Sequence, residues 1–265
     1  MNHRPILPLM LLMTVLIALF FLLNLLLGSV DIPLRSVCRI LAGGTDEPVV
    51  WQNIVWKSRV PQALTALVAG AGLSVSGLQM QTVFRNPLAD PSVLGVSSGA
   101  SLGVAMVVLL SGAVGGVALS RLGYLGEVAL SLAAIVGAMS VMALIVYVSM
   151  KVRGNVTLLI IGVMIGYVAN AVIGVLKFFS VEEDIRAYVI WGLGSFARVS
   201  GDQMLLFVGI MAVLLPLSFL LIKTMNLLLL GNGYARNLGL NIRRARLLVI
   251  LCSGVLVAIV TAYCG

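Results

Sequence analysis

Charged side chains are scarce in this chain of 265 residues: only 10% are Asp, Glu, Lys or Arg, whereas 61% are hydrophobic. The single histidine, His3, stands in the N-terminal tail, which excludes a Ser-His-Asp catalytic set. The three cysteines, Cys38, Cys252 and Cys264, show neither metal-ligand nor redox spacing. No G-x-x-x-x-G-K-S/T pattern occurs, so the chain cannot hold ATP through a P-loop. The sequence therefore predicts no catalytic residues, no metal site and no enzymatic activity.

Long apolar runs occupy most of the sequence instead. Seven of them approach or exceed the roughly 20 residues that a membrane-spanning helix needs, with approximate bounds 5–30, 61–83, 97–119, 128–150, 156–176, 203–222 and 247–265. The apolar run 187–197 is too short to span and is expected to be re-entrant or interfacial. Ser180 and Glu183 have the spacing of a capping box, which predicts a helix beginning there. We predict an all-α, polytopic membrane helix bundle that forms one transmembrane domain over residues 1–265.

The net charge of +8 also suits a membrane protein. Basic residues are not interleaved with surface aromatics, so no nucleic-acid partner is expected. If the N-terminus is cytoplasmic, the inner segments contain nine of the 17 basic residues and one acid, Asp90, and the outer segments contain the other eight basic residues and eight acids. The inner basic residues lie in short links near the ends of spans, where the positive-inside rule applies best. The pattern favours a cytoplasmic N-terminus and contact with membrane lipid.

The fifth predicted span has a stripe of small and polar residues, Gly162, Gly166, Asn170 and Gly174, at four-residue steps. Such a stripe either packs closely against a neighbouring helix or lines a path through the bundle. No Asp, Glu, Lys or Arg lies in the middle of any predicted span. This absence argues against a secondary carrier with an ionisable site at the midplane. Energy for transport would then come from another subunit.

The stretch 74–103 joins the second and third predicted spans and reads SVSGLQMQTVFRNPLADPSVLGVSSGASLG. Pro87 and Pro91 enforce a break in the helix, and Ser97 or Ser98 is expected to cap the helix that follows. Taken by spacing alone, the stretch is a polar hairpin between two membrane helices.

The whole string, however, resembles the signature region of the FecCD-like permeases, which are the membrane subunits of type II ABC importers for ferric siderophores, haem and cobalamin. The family's pattern, SGxxMQxxFxNPLAxPxxLGxxxGA, links its second and third spans on the cytoplasmic side. We call residues 74–103 the signature stretch. The site residues expected in it are Gln81, Asn86, Pro87, Pro91, Gly95 and Gly99.

The segment 225–240, MNLLLLGNGYARNLGL, contains two predicted short helices, 227–230 and 234–238, that cannot span a membrane. From its residues alone it could be a linker lying on lipid headgroups. It also resembles the family's cytoplasmic coupling segment, LxxLGExxAxxLG, which docks into a groove of the ATPase. The chain departs from that pattern at Asn232, where the family has an acidic residue. We call residues 225–240 the coupling segment, and its expected contact residues are Leu227, Leu230, Gly231, Tyr234, Ala235, Arg236, Leu238 and Gly239.

The resemblance implies two further sites. Basic residues before the second span, Lys57 and Arg59, would seat a substrate-binding protein, although interfacial anchoring is an alternative for both. The link between the fourth and fifth spans would form a cytoplasmic gate that continues into the pathway. The residues expected there are Asn155, Val156, Thr157, Gly162, Gly166 and Asn170.

The resemblance also implies the function. The chain would be the permease subunit of a bacterial inner-membrane importer of ferric siderophore or haem, with cobalamin as the alternative substrate. Its partners would be a second permease copy, two ATPases that bind ATP and Mg²⁺, and a periplasmic or lipid-anchored binding protein. The chain itself would bind no cofactor. Related permeases have ten spans, so the last three are expected to be missing. The alternatives from other classes are an ATP-independent carrier or channel and a non-transporting membrane fragment.

Overall fold

A computed structural model describes residues 6–44, 46–113, 124–152, 155–199 and 201–265. The described residues contain helices and turns but no strand. In chain order the α-helices are α1 (Ile6–Leu26), α2 (Leu34–Leu41), α3 (Val49–Ile54), α4 (Val60–Phe84), α5 (Val96–Ala113), α6 (Tyr124–Lys151), α7 (Asn155–Phe179), α8 (Glu182–Gly192), α9 (Asp202–Phe219), α10 (Ile222–Leu229), α11 (Asn232–Asn237) and α12 (Ile242–Cys264).

The described residues of each predicted span are mostly helical, and residues 114–119 of the third predicted span lie outside the described residues. Five helices are long and apolar enough to cross a membrane: Ile6–Leu26, Val49–Phe84, Leu125–Lys151, Thr157–Phe179 and Ile242–Cys264. A sixth span results if the pair Gln203–Phe219 and Ile222–Leu229, bent by 47°, counts as one. The predicted third span corresponds to α5, of which 18 residues are described. The all-helical fold class predicted from the apolar runs is confirmed.

The second span begins earlier than its apolar run indicates. Helix α3 continues through a π-helical segment, Val55–Arg59, directly into α4. Pro61 has no backbone N–H and would clash with the carbonyl four residues before it in a regular α-helix. A π turn places one extra residue at this point and is a known way for a helix to absorb such a defect. The helix therefore runs from Val49 to Phe84 without a break.

Contacts between Cα atoms divide the chain into two compact units. The first comprises Met1–Val68 and Phe196–Val208. Its apolar core is formed by Leu25, Ile32, Val37, Ile40, Val55 and Ala63. Beside this core, the Arg59 guanidinium is buried and donates hydrogen bonds to the carbonyls of Leu25 and Leu26, each at 2.8 Å, and to that of Val30. Arg59 thus satisfies carbonyls that α1 leaves unpaired at its C-terminus.

The second unit comprises Ala69–Ser195 and Gly209–Gly265. Helix α5 lies at its centre and packs on α6, α7, α8 and α12. The α5–α6 crossing uses Gly99, Gly103 and Gly137: a Cβ on Gly99 would lie 2.7 Å from the Gly137 carbonyl oxygen. Small residues allow two backbones to approach this closely in a membrane protein. The signature stretch and the coupling segment both belong to this unit.

The predicted capping box at Ser180 is wrong. Helix α8 begins at Glu182, its N-cap residue is Val181, and no side chain caps it. The Ser180 hydroxyl instead donates to the carbonyl of Leu176, four residues earlier, at 2.6 Å, and approaches that of Leu109 at 3.2 Å. Val181 rather than Ser180 holds the N-cap position, and the Ser180 hydroxyl bonds back onto the preceding helix.

Candidate functional site: the signature stretch and the coupling segment

The turn of the signature stretch is built by its own polar side chains. Asn86 Oδ1 accepts from the backbone N–H of Leu88 at 2.9 Å. Asp90 Oδ1 accepts from the N–H of Ser92 at 2.6 Å and caps a 3₁₀ helix, Pro91–Leu94. These Asx interactions fix a turn without regular secondary structure. The break that the two prolines predict is therefore present, and each polar side chain has a local structural role.

Gly95, rather than Ser97, precedes the helix that follows. The N–H of Gly99 bonds to the Gly95 carbonyl at 2.9 Å, and α5 begins at Val96. Gly95 has φ +74°, and a Cβ there would lie 3.0 Å from the carbonyl oxygen of Gly162 on α7. The predicted serine cap is wrong because a left-handed glycine joins the 3₁₀ helix to α5 directly.

Helix α7 presents two different environments along its predicted stripe. Gly162 and Gly166 are buried: a Cβ on Gly162 would lie 2.8 Å from the Val93 carbonyl oxygen, and one on Gly166 would lie 3.3 Å from Ser98 Oγ. Asn170 is exposed in this chain, and so is Gly174, whose Cβ would meet nothing within 4 Å. The first half of the stripe is thus a packing surface against the signature stretch. A pathway role for Gly162, Gly166 and Asn170 stays a prediction.

The coupling segment consists of helix α10, a turn at Gly231 and helix α11. Gly231 has φ +112°, a backbone conformation that L side chains rarely adopt, and nothing lies near its Cβ position. Met225 and Leu228 on α10 and Ala235 on α11 are buried and attach the segment to the unit. Leu227 and Leu240 are half-buried. The other large apolar side chains of the segment are 60–71% exposed: Leu229, Leu230, Tyr234 and Leu238. Exposed apolar side chains grouped in so short a segment are typical of a docking surface.

One side chain joins the signature stretch to the coupling segment. Arg85 Nη2 donates to the Leu228 carbonyl at 2.8 Å and to Asn232 Oδ1 at 3.0 Å. The sequence analysis named both stretches but did not predict this contact. Arg85 lies more than 140 residues before its acceptors in the chain, and no periodic pattern connects residues so far apart.

The other predicted site residues lie outside this arrangement. Lys57 is exposed, whereas Arg59 is buried with its guanidinium bonded to three carbonyls. Docking of a binding protein by this pair stays a prediction. Thr157 is exposed near the start of α7, while the side chains of Asn155 and Val156 lie outside the part that the structure describes. The gate assigned to these three residues likewise stays a prediction.

Sequence reasoning also missed a buried acid on the short helix α8. Asp184 is 6% exposed, and its Oδ2 atom has no hydrogen-bond donor among the described residues. Burial, and secondarily the charge of Glu183, raises the pKa of Asp184 above its ordinary value of 3.8. Asp184 stands in the first turn of α8 with Glu182 and Glu183, where negative charge is favourable to the helix dipole. Acids of a helix N-terminus are usually solvated, so no local pattern in the sequence indicates that this one is buried.

Long apolar helices, glycine-mediated crossings and a short exposed two-helix segment define a polytopic helical membrane protein of the permease kind. Within that class, the chain belongs to the FecCD transport family, whose sequence model matches residues 15–265. The family resemblance drawn from the signature stretch is therefore confirmed.

Two curated relatives show how far the similarity extends. The chain is 33% identical over 217 residues to the "Hemin transport system permease protein HmuU" of Yersinia pestis, which covers 82% of this chain and 62% of the relative. It is 36% identical over 215 residues to the "Vitamin B12 import system permease protein BtuC" of Serratia proteamaculans, covering 81% and 61%. The chain thus spans about three fifths of the length of these relatives.

A solved structure shows the same fold. It is described as an inward-facing conformation of an ABC transporter of the metal-chelate type. The match has a TM-score of 0.76 and 29% sequence identity, and it covers 95% of this chain and 74% of the other. Together with the helices above, this likeness confirms the importer-permease fold class.

Proposed function

We propose that this chain is the membrane-spanning permease subunit of an ATP-driven, binding-protein-dependent importer of iron chelates, either ferric siderophore or haem. The observation that carries the proposal is the FecCD family match over residues 15–265. The haem relative and the metal-chelate transporter support an iron-containing substrate. Cobalamin is the second candidate, because the vitamin B12 relative is as similar as the haem relative.

The chain's own part in such an importer would be mechanical. It has no P-loop, so ATP and Mg²⁺ would bind a partner ATPase, and this chain would bind no cofactor. The exposed leucines and Tyr234 of the coupling segment would dock on that ATPase. A second permease copy would complete the path, with a binding protein above it, in the bacterial inner membrane. Rigid-body tilting of the helices would then expose the path to each side in turn.

The test is reconstitution of the permease with its cognate ATPase and binding protein in proteoliposomes. Uptake of labelled ferric siderophore, haem and cobalamin would be measured with and without ATP. We expect uptake of one iron chelate that requires ATP and both partners. Uptake of cobalamin alone would select the second candidate. Uptake without ATP would indicate a carrier or channel, and a preparation that transports nothing would contradict the proposal.

A substitution in the coupling segment tests the docking step. Leu230→Asp places a charge within the exposed apolar group, at a residue that is 60% exposed, so its loss removes little packing from the unit. We expect Leu230→Asp to abolish co-purification of the ATPase from detergent. The matched control is Leu193→Asp, an exposed leucine at the end of α8. Equal loss with both variants would show general damage rather than a docking surface.

A further inference from the structure

Arg85 occupies a backbone position that ordinarily belongs to glycine. Helix α4 ends at Phe84, and the N–H of Asn86 bonds back to the Gln81 carbonyl at 3.2 Å, as in a Schellman motif. Arg85 is the residue of that motif in the left-handed conformation, with φ +50°. It is the only described residue other than glycine with a positive φ. An L-residue held in this conformation is strained relative to a relaxed backbone.

The hydrogen bonds of the Arg85 guanidinium offset the strain of this backbone conformation. Nη2 has two N–H groups, and it donates to two acceptors on opposite sides of the Gly231 turn. The first acceptor, the Leu228 carbonyl, belongs to the last turn of α10 and also accepts from the Gly231 N–H at 3.3 Å. The second, Asn232 Oδ1, belongs to the first residue of α11. One side chain thus joins both halves of the coupling segment to the end of α4.

Backbone hydrogen bonds also cross the Gly231 turn: the Gly231 N–H donates to the Leu228 carbonyl at 3.3 Å, and the Ala235 N–H donates to the Gly231 carbonyl at 2.9 Å. No heavy atom lies within 4 Å of a Cβ built on Gly231, and the same is true of Gly233 and Gly239. These three glycines therefore add no side-chain packing to the coupling segment. The Arg85 bonds, formed from an ionised donor, are stronger than bonds between neutral groups. Among the described residues, these two bonds connect the side chain of Arg85 in the signature stretch to α10 and α11.

We propose that Arg85 is a positioning residue that fixes α10 and α11 relative to the end of α4, so that a displacement of the coupling segment moves the signature stretch with it. This inference rests on the proposed function for its role in transport, but the local geometry can be tested without transport. The acceptor on α11 is the neutral Asn232, and Arg246 of α12 adds a second positive charge near Arg85. An acid at residue 232 would therefore strengthen the connection.

The first experiment is hydrogen exchange of the purified chain in detergent. Arg85→Gly is the informative variant, because glycine keeps the left-handed turn and removes only the side chain. We expect exchange of the α11 amides, such as Ala235 N–H, to become about tenfold faster in Arg85→Gly and in Asn232→Ala. Exchange in Asn232→Glu should be slower than in the native chain. Arg236→Ala removes an exposed arginine of α11 and should leave exchange unchanged.

Unchanged α11 exchange in both Arg85→Gly and Asn232→Ala would overturn the inference, whatever the transport assays show. So would equal acceleration in Arg236→Ala, because it would mean that any change in α11 has this effect.

The second experiment measures ATP hydrolysed per substrate molecule imported by the reconstituted complex. We expect this ratio to rise several-fold in Arg85→Gly while the ATPase still co-purifies, with partial rescue in Arg85→Lys. A native complex without ATP-dependent uptake would refute the proposed function and leave the exchange result standing. A native complex that transports, with an unchanged ratio in Arg85→Gly, would refute the positioning role alone.

Discussion

Arg59 and Arg85 show what single side chains contribute here and how much of it a sequence reveals. Arg59 lies within the helix that runs from Val49 to Phe84, and Arg85 follows the end of that helix. Both donate to carbonyls distant in the chain, Arg59 to Leu25 and Arg85 to Leu228. The sequence marks each as a basic residue beside a predicted span, and nothing in its local pattern distinguishes an inward-facing guanidinium from an exposed one. Lys57, two residues from Arg59, is exposed. Which basic residue folds inward depends on tertiary contacts that no spacing rule contains.

The buried carboxyl of Asp184 predicts how the stability of the chain depends on pH. Burial raises the pKa of Asp184 above 3.8, so the folded chain holds this proton more tightly than the unfolded chain does. Stability therefore falls as the pH rises from 3.8 through the raised pKa, because the buried carboxyl must then ionise. Asp184→Asn removes that penalty. We expect its unfolding temperature in detergent to exceed that of the native chain at pH 7, and the difference to shrink towards pH 4.

Glu183→Gln is the control for the smaller of the two causes of the raised pKa of Asp184, the charge of Glu183. Glu183 is exposed, and its charge contributes to the raised pKa of Asp184 less than burial does. The same trend with a smaller amplitude is expected in Glu183→Gln. An Asp184→Asn chain that is less stable than the native chain at every pH would show that the carboxyl makes a favourable contact that outweighs its desolvation.

At the scale of elements, helix lengths and order follow from the sequence, because an apolar run of about 20 residues has one stable state in a bilayer. Helix ends follow less well. The capping-box spacing at Ser180 is present, but its hydroxyl bonds to Leu176 instead. Pro61 is expected to begin a helix, but the helix begins earlier and continues from the π-helical segment Val55–Arg59 through Pro61. Each end is a competition between local bonds of about 1 kcal/mol, and tertiary packing decides it.

Helix α7 allows the packing half of its stripe to be separated from the exposed half. Gly162→Ala would place a methyl group 2.8 Å from the Val93 carbonyl oxygen, a backbone atom that cannot move aside cheaply. We expect a loss of about 1–3 kcal/mol, as for other overpacked sites. Gly174→Ala on the same helix meets nothing within 4 Å and should be neutral or stabilising by up to about 1 kcal/mol. Thermal unfolding in detergent measures both, and equal shifts would contradict the packing role.

For the whole molecule, the family and the order of spans were accessible from sequence because the signature stretch is long and continuous. The contact between the signature stretch and the coupling segment could not be predicted from the sequence, because Arg85 and Asn232 are 147 residues apart in the chain. The proposed transport would depend on such connections between distant segments. The orientation of the chain in the membrane determines on which side each of these segments lies.

The distribution of basic residues predicts that orientation, and two exposed positions separated by one predicted crossing test it. Glu182 begins α8 and is expected outside, whereas Leu230 in the coupling segment is expected on the cytoplasmic side. In a chain whose cysteines are replaced by alanine, Glu182→Cys should react in intact spheroplasts with a membrane-impermeant maleimide. Leu230→Cys should react only in inverted vesicles. The opposite pattern would reverse the orientation and remove the coupling segment from the side where ATP is hydrolysed. Labelling of both from one side would mean that α9 and α10 do not cross the membrane as one bent span.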